Sequence, residues 1–253
     1  MTQSIAQKQI ASARTLCDAL ESIAFSENII YNPLMYARRA FEEYVTRYGN
    51  STKRVVFLGM NPGPWGMAQT GVPFGEINTV RDWLSITAPI GVPETIHPKR
   101  PVLGYKCTRS EVSGERLWGL FKERYKQADA FFADYFVINY CPLLFIAPSG
   151  KDNNGARNIT PDKLKTEEKT ALYDACDGHL RDVIRALSPE FLVGVGNFAA
   201  ERAADALSRD VKITKILHPS PANPRSNGGN WGKIAEQQLV EAGVWGSQYA
   251  LLG

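Results

Sequence analysis

The sequence contains few cysteines, and their spacing is not that of a metal site. The four, Cys17, Cys107, Cys141 and Cys176, lie far apart along the chain and form no C-x-x-C pair. Structural zinc sites and iron–sulfur clusters are held by closely spaced cysteine and histidine ligands. We therefore expect reduced thiols, no metal and no cofactor.

Long hydrophobic runs are also missing. No stretch approaches the roughly 18 apolar residues that a membrane-spanning helix needs, and the N-terminal residues MTQSIAQKQ lack the apolar centre of a signal peptide. The sequence contains no internal repeat and no low-complexity tract either. These absences indicate a cytoplasmic, or more broadly intracellular, protein that does not act at a membrane.

Neither sign of charge dominates. Lysine and arginine number 29, and aspartate and glutamate 26, which gives a formal net charge of +3. Such a mild excess permits a polyanionic partner without requiring one. The 253 residues, 44% of them hydrophobic, suffice for one well-buried α/β domain and are few for two. We expect a monomer with a single domain over residues 1–253, in which helices from residues 1–50 pack onto the rest.

What the sequence does have is one stretch, residues 54–76, in which a strand pattern runs into a loop rich in glycine and proline. The strand is predicted over residues 55–58 (VVFL). Prolines fix φ and glycines allow close backbone approach, so the loop that follows can hold one shape without a helix or a sheet. Asn61 stands at the start of this loop and Phe74 near its far end. Such a loop is suited to enclosing a flat ligand.

Three further segments have the composition of buried strands. They are residues 135–140 (YFVINY), 191–196 (FLVGVG) and 211–217. Asn139 lies at the end of the first segment, and His218 directly follows the last. Because parallel strands bring their carboxyl ends to one edge of a sheet, we expect Asn61, Asn139 and His218 to line a single pocket.

Helical periodicity and capping residues predict the remaining elements. Helices are expected over residues 4–24, from Pro33 to Gly49, and over 80–86, 113–126, 160–187, 197–207 and 232–242. Residues 149–158 have the composition of a polar loop. The alternation of strands and helices predicts an α/β fold, with three layers (α/β/α) around a central four-stranded, mainly parallel sheet.

The order of residues in the loop, GMNPGPWGMAQTGVPFGE, resembles the signature of the single-strand-selective monofunctional uracil-DNA glycosylases. The segment NYCPL, which contains Asn139, and the segment HPSP, which begins at His218, resemble further parts of that pattern. The resemblance covers residues from about 50 to 240, which is most of the chain. It implies a DNA repair enzyme that hydrolyses the N-glycosidic bond of uracil and 5-hydroxymethyluracil in single- and double-stranded DNA. The product would be an abasic site.

The resemblance also implies roles for individual residues. His218 would donate a hydrogen bond to O2 of the departing uracil, and Asn61 would position the attacking water, without being a strong base. Phe74 would stack on the extruded base, and Asn139 would read its Watson–Crick edge. Gly63 stands where strict uracil enzymes place a bulky ring, so it would leave room for a 5-substituent. The implied substrate-binding residues also include Gly59, Met60 and Met67.

Two segments would contact DNA outside the pocket. Ser149 and Lys151 begin the polar loop, whose N–H groups and lysine could reach phosphates. The second segment is the candidate wedge into the base stack, formed by Ser220, Pro221, Asn223, Pro224 and Arg225. Animal relatives commonly have arginine directly after HPSP, whereas this chain has Ala222. The implied partner is DNA containing uracil or an oxidised pyrimidine, so a eukaryotic protein of this kind would be nuclear.

Three alternatives remain open at this point. The chain could be a glycosylase for mismatched thymine or other uracil analogues, or a nucleic-acid-binding protein that retains the pocket without catalysis. The presence of both Asn61 and His218 argues against the second. A nucleotide-binding α/β protein is the third, since residues 194–199 superficially match a dinucleotide fingerprint. That match lies outside a first βαβ unit, and the chain has no Walker G-x-x-x-x-G-K-[ST] loop.

Overall fold

A computed structural model describes residues 2–27, 29–150, 155–207, 210–227 and 229–246 of the chain. Within these residues the α-helices are α1 (Ile5–Glu21), α2 (Pro33–Tyr36), α3 (Arg38–Tyr48), α4 (Met67–Thr70), α5 (Val112–Tyr125), α6 (Ala128–Phe132), α7 (Thr166–Leu187), α8 (Asn197–Ala206) and α9 (Trp231–Glu241). The strands are β1 (Ile29–Tyr31), β2 (Val55–Gly59), β3 (Tyr135–Asn139), β4 (Leu144–Ser149), β5 (Gly155–Ile159), β6 (Phe191–Val195) and β7 (Lys212–Ile216).

The central sheet has four strands in the order β3-β2-β6-β7, and every neighbouring pair is parallel. The predicted fold class, an α/β fold around a four-stranded parallel sheet, is therefore confirmed. Every residue of β2 and of β6 is buried, because these strands have a neighbour on each side and helices on both faces. Strand β7 lies at an edge and exposes Lys212 and Lys215 to solvent, as edge strands commonly do.

Helices cover the two faces of this sheet. On one face, the ring of Phe57 in β2 packs 4.9 Å from that of Phe121 in α5. On the other face, the ring of Phe136 in β3 stacks 4.8 Å from that of Tyr44 in α3. Tyr44 is fully buried, and its hydroxyl donates to the carbonyl of Val137 at 2.9 Å. The buried hydroxyl therefore has a hydrogen-bond partner within the core.

A second sheet was not predicted. Strands β1, β4 and β5 form a three-stranded antiparallel sheet in that order, and β4 and β5 form a hairpin. The prediction of a polar loop over residues 149–158 is therefore wrong for its ends, which lie in these strands, while residues 151–154 lie outside the described part. Pro148, polar side chains and glycine hide the strand pattern. Pro148 is tolerated because β1 does not extend far enough to pair with it.

Several helix boundaries also differ from prediction. The helix expected from Pro33 to Gly49 is interrupted at Ala37, whose φ of −104° and ψ of 23° are not helical. Thr160 makes no side-chain cap, and α7 begins only at Thr166 after a short 3₁₀ turn, Pro161–Lys163. The segment expected as a helix over 80–86 is a π-helical turn, Thr79–Trp83. Helix α6 was not predicted, because its five residues are too few to show a period.

No helix in the described part of the chain is long and apolar enough to cross a membrane. All four cysteines are buried and unpaired. The extent of the domain over residues 1–253 stays a prediction.

Candidate active site

The loop after β2 and the end of β3 are held side by side by backbone hydrogen bonds that continue the sheet. The N–H of Tyr140 donates to the carbonyl of Gly59, and the N–H of Cys141 donates to that of Met60, each at 2.9 Å. Gly59 and Asn139 are register partners in the sheet. The parallel register therefore places Asn61 and Asn139 at one edge, as the strand pattern predicts.

This edge contains a cavity of about 350 Å³. Four residues singled out from the sequence line it, namely Asn61, Phe74, Asn139 and His218. Met60, Gly63, Met67 and Ser220, also predicted site residues, contribute to the same walls. The cavity wall is completed by Pro62, Glu111, Ser113, Asn158 and Thr160.

His218 is fixed as a neutral hydrogen-bond donor. Its Nδ1 accepts a hydrogen bond of 3.1 Å from the backbone N–H of Ser220, so in a neutral ring the proton is on Nε2. Burial lowers the pKa of His218 to about 4, which keeps the ring uncharged at neutral pH. Behind the ring lies Gly196, with a φ of 93°, where a Cβ would come within 3.1 Å of the Cβ of His218.

The amide groups of the two asparagines are held by different partners. The Nδ2 of Asn61 donates to the carbonyl of Leu143 at 3.1 Å, which leaves its Oδ1 as the acceptor that can hold a water. The Nδ2 of Asn139 lies 3.2 Å from the sulfur of Met67. The Oδ1 of Asn139 is buried and has no hydrogen-bond partner among the described residues. A buried acceptor of this kind is costly unless a ligand supplies the donor.

Phe74 has a strained backbone, with φ at 53° in the left-handed region that non-glycine residues rarely adopt. Its ring lies 6.4 Å from that of His218, at an angle of 43°. Two glycines permit this position. A Cβ on Gly59 would overlap the Phe74 ring, and a Cβ on Gly114 would overlap the Phe74 carbonyl.

Glu111 is the most distinctive residue that the sequence analysis missed. Its side chain turns toward the loop after β2, where a carboxylate oxygen accepts from the N–H of Trp65 at 3.3 Å and the carboxyl also accepts from the N–H of Gly66. Burial raises the pKa of Glu111, and these two N–H groups offset only part of the rise. A Cβ on Gly63 would overlap the carboxyl group. The contact between Gly63 and Glu111 joins residues 48 positions apart in the sequence. No local pattern predicts it, because the segment before α5 contains no recognisable motif.

A model of the uracil DNA glycosylase superfamily matches residues 46–239, which is more than two thirds of the chain. The chain belongs to this superfamily. It is 46% identical over 247 residues to the single-strand selective monofunctional uracil DNA glycosylase of Bos taurus, covering 96% of this chain and 88% of that protein. The corresponding protein of Mus musculus is 45% identical over 248 residues, covering 96% of this chain and 86% of that protein. The resemblance seen in the sequence is thus confirmed.

Among solved structures, the chain is similar to wild-type SMUG2 of Pedobacter heparinus, with a TM-score of 0.66 and 16% identity. The likeness covers 96% of this chain and 98% of the other. Identity this low speaks for a shared fold alone. The match supports the α/β architecture described above.

The other predicted site residues of this superfamily member that the structure describes lie outside the cavity. Gly59 borders it from behind Asn139 and Phe74. Ser149 is half-buried in β4, and Lys151 lies outside the described residues. Pro221, Asn223, Pro224 and Arg225 form a surface turn next to Ser220.

Local hydrogen bonds shape that turn. The Oδ1 of Asn223 accepts from the N–H of Arg225 at 3.1 Å, and the Nδ2 of Asn227 donates to the carbonyl of Pro221 at 3.1 Å. The hydroxyl of Ser226 donates to the carbonyl of His218 at 2.6 Å. This hydrogen bond connects the turn to His218, which lines the cavity. Arg116 of α5 braces the same segment by donating to the carbonyl of Pro219 at 2.8 Å.

Besides Pro62 in the loop after β2, the other wall residues that were not predicted are Ser113, Asn158 and Thr160. Ser113 belongs to the first turn of α5, and Asn158 and Thr160 come from the end of the unpredicted hairpin. Among the described residues, no group of three histidine, cysteine, aspartate or glutamate side chains could hold a metal ion.

Proposed function

We propose that the protein is a monofunctional uracil-DNA glycosylase, which hydrolyses the bond between uracil and deoxyribose in DNA and leaves an abasic site. One observation carries the proposal. A neutral imidazole donor, a tethered asparagine and an unpaired amide acceptor meet around one cavity beside an aromatic ring; the residues are His218, Asn61, Asn139 and Phe74. The superfamily membership and the identity to named glycosylases support the same activity.

The base would enter the cavity after leaving the DNA stack, and Phe74 would stack on its face. The free Oδ1 of Asn139 would accept from N3–H of uracil, and its Nδ2 would donate to O4. Cytosine has an acceptor at N3 and an amine at C4, so both hydrogen bonds would be mismatched. The unsatisfied Oδ1 would then remain buried without a donor, which disfavours cytosine.

Cleavage would transfer the electron pair of the C1′–N1 bond to the base, so that negative charge builds on uracil O2 while the sugar becomes oxocarbenium-like. The Nε2–H of His218 would donate to O2, and the low pKa of His218 lets it do so as a neutral group. The Oδ1 of Asn61 would hold the water whose oxygen attacks C1′. This water would lose a proton to solvent, and the released uracil anion would take one up, so that the net reaction is hydrolysis. An amide is a weak base and cannot deprotonate the water effectively, so we expect a modest rate.

We also propose that the protein excises 5-hydroxymethyluracil, and that it acts on both single- and double-stranded DNA. The exposed turn of Pro221, Asn223, Pro224 and Arg225 would enter the base stack, and Ser149 and Lys151 would lie near phosphates.

No lysine lines the cavity among the described residues, which favours hydrolysis without strand cleavage. We also propose a monomer with one domain that acts wherever the cell keeps its DNA.

Single-turnover excision from end-labelled oligonucleotides tests the proposal. Each oligonucleotide would contain one uracil, either single-stranded or paired with guanine or adenine, and would be treated with alkali after the reaction. Cleavage that appears only after alkali supports a monofunctional glycosylase. Folded protein that produces no abasic site would contradict the proposal and favour a binding protein without catalysis. Excision of thymine opposite guanine at the rate of uracil would favour a mismatch thymine glycosylase.

A further inference from the structure

The side chain of Glu111 stands in the space that a side chain at position 63 would occupy. Residue 111 precedes the first residue of α5, a position from which a carboxylate often caps the helix, yet Glu111 makes no such hydrogen bond. Its carboxyl turns instead to the N–H groups of Trp65 and Gly66. A Cβ on Gly66 would come within 3.0 Å of the Glu111 Cγ, and one on Gly63 would overlap the carboxyl. Glu111 is therefore built into this wall of the cavity.

The edges of a bound uracil indicate what this wall would meet. In the proposed function, Asn139 takes the N3–H and O4 edge and His218 takes O2, while Phe74 covers one face. C5 follows C4 on the side of the ring away from N3, so it points toward none of these residues. Ser113, Asn158, Thr160 and Ser220 also line the cavity, but we assign the C5 edge to the wall formed by Gly63 and Glu111. There the Glu111 carboxyl lies in the space that a side chain on Gly63 would occupy.

We propose that Glu111 determines which 5-substituents are accepted, because its carboxyl accepts a hydrogen bond from a 5-hydroxymethyl group and disfavours the methyl group of thymine. The inference rests on the proposed glycosylase function. A buried carboxyl loses free energy when it is cut off from water without a new partner. The hydroxyl of 5-hydroxymethyluracil supplies that partner, whereas a methyl group displaces water and supplies none. Uracil, with hydrogen at C5, leaves space for a water to remain on the carboxyl.

The chemistry of Glu111 fits this role in either protonation state. Burial favours the neutral acid, in which the carbonyl oxygen still accepts a hydrogen bond. The N–H groups of Trp65 and Gly66 occupy part of the acceptor capacity, but a carboxyl group has about four lone-pair sites. The group is thus oriented by the loop and retains a site for the substrate.

The test compares Glu111→Leu with the matched control Glu115→Leu, which changes an exposed glutamate four residues further along, in the first turn of α5. Single-turnover excision rates are measured on oligonucleotides with uracil, 5-hydroxymethyluracil or thymine opposite guanine. For Glu111→Leu we expect the ratio of 5-hydroxymethyluracil to uracil excision to fall on the order of 10- to 100-fold, the usual effect of one buried hydrogen bond. The rate on uracil should stay within a few-fold, thymine should gain relative to 5-hydroxymethyluracil, and Glu115→Leu should match wild type.

A second measurement varies the base, and its first comparison needs only wild-type protein. 5-Ethyluracil has nearly the shape of 5-hydroxymethyluracil but has no hydroxyl group. Wild-type protein should excise 5-ethyluracil at least about 10-fold more slowly, as expected for an unpaired buried carboxyl. The difference between the two bases should shrink in Glu111→Leu, which separates the contact from any difference in the bases' own reactivity.

Two results would overturn the inference. Equal losses on uracil and 5-hydroxymethyluracil in Glu111→Leu would show that the residue only supports the loop or the chemistry. Equal excision of 5-ethyluracil and 5-hydroxymethyluracil by wild-type protein would show that the hydroxyl is not recognised. If the proposed function itself were wrong, wild-type protein would release no uracil at all, which distinguishes that outcome from the two above.

Discussion

The backbone N–H of Ser220 donates a hydrogen bond of 3.1 Å to Nδ1 of His218. This bond joins residues that are two positions apart, so it forms as soon as the Pro219 turn is made. It forces a neutral ring to keep its proton on Nε2, the atom that the proposed reaction needs as donor. Burial lowers the pKa of the same ring to about 4, and the donor is therefore neutral at pH 7.

Replacing His218 by alanine should reduce the single-turnover excision of uracil on the order of 100- to 1000-fold, the usual cost of removing one donor to a developing oxyanion. His97→Ala is the matched control. The N–H of Lys99 donates to Nδ1 of His97 at 3.0 Å, again across a proline, so this variant removes the same local hydrogen bond away from the cavity. Its excision rate should equal that of wild type. Full activity in His218→Ala would remove the histidine from the mechanism.

Asn61→Ala should lower the single-turnover rate by roughly 100-fold, because the attacking water loses the group that positions it. Binding of uracil-containing DNA should change little, since Asn61 is proposed to face the sugar side of the base. Asn78→Ala provides a control at an exposed asparagine, whose Oδ1 accepts from Arg81 at 3.0 Å. Rates at saturating enzyme, together with dissociation constants from fluorescence anisotropy, separate the two effects. An unchanged rate in Asn61→Ala would rule out the water-positioning role.

Two glycines of helix α5 should respond to alanine in opposite directions. A Cβ at Gly114 would overlap the carbonyl of Phe74, whereas a Cβ at Gly119 would meet no atom of the described residues within 4 Å. Gly119→Ala should raise the free energy of unfolding by about 0.5–1 kcal/mol, because alanine is the better helix former. Gly114→Ala should lower it and should also slow excision, since Phe74 must move.

Urea unfolding of both glycine variants, with excision rates measured beside it, checks this prediction. A Gly114→Ala protein with wild-type stability and activity would show that the approach of α5 to Phe74 is not needed for the cavity.

The stability of the protein should fall between pH 7 and pH 5, in part because of His179. Burial lowers the pKa of His179 from 6.5 to about 4, and Ser12 Oγ of α1 lies 2.9 Å from its Nδ1 in α7. Between these two values the unfolded chain binds a proton that the folded chain excludes, so stability is lost as the pH decreases. The loss from His179 over this range is about 2 kcal/mol.

Urea unfolding at pH 7 and pH 5, with wild type and His179→Gln, measures this contribution. Glutamine cannot titrate, so the variant should lose about 2 kcal/mol less than wild type between the two pH values. The comparison cancels the contribution of other groups, including His218. Identical pH dependence in the two proteins would contradict the prediction.

The parts of the site that the sequence predicted are those built from local pattern. Asn61, Asn139 and His218 each follow an apolar run of strand length, and parallel pairing brings such ends together whatever the helices do. Phe74 was recognisable because its proline and glycine neighbours restrict the loop around it. The β4–β5 hairpin was missed because Pro148 and a polar sequence hide its alternation, and Lys151 falls in the segment that the structure leaves undescribed.

By itself, the sequence determined the four strands of the central sheet, the order of the motifs and the family, since all three depend on residue types at short spacing. Only the tertiary structure decided that Glu111 fills the space beside Gly63, and that the Oδ1 of Asn139 is buried without a partner in the part of the chain that the structure describes. These features arise where the residue before α5 packs against the loop after β2 and where Asn139 packs against Gly59 and Met67. Burial and contact between distant segments depend on how the whole chain closes, and no spacing of residues along the sequence records them.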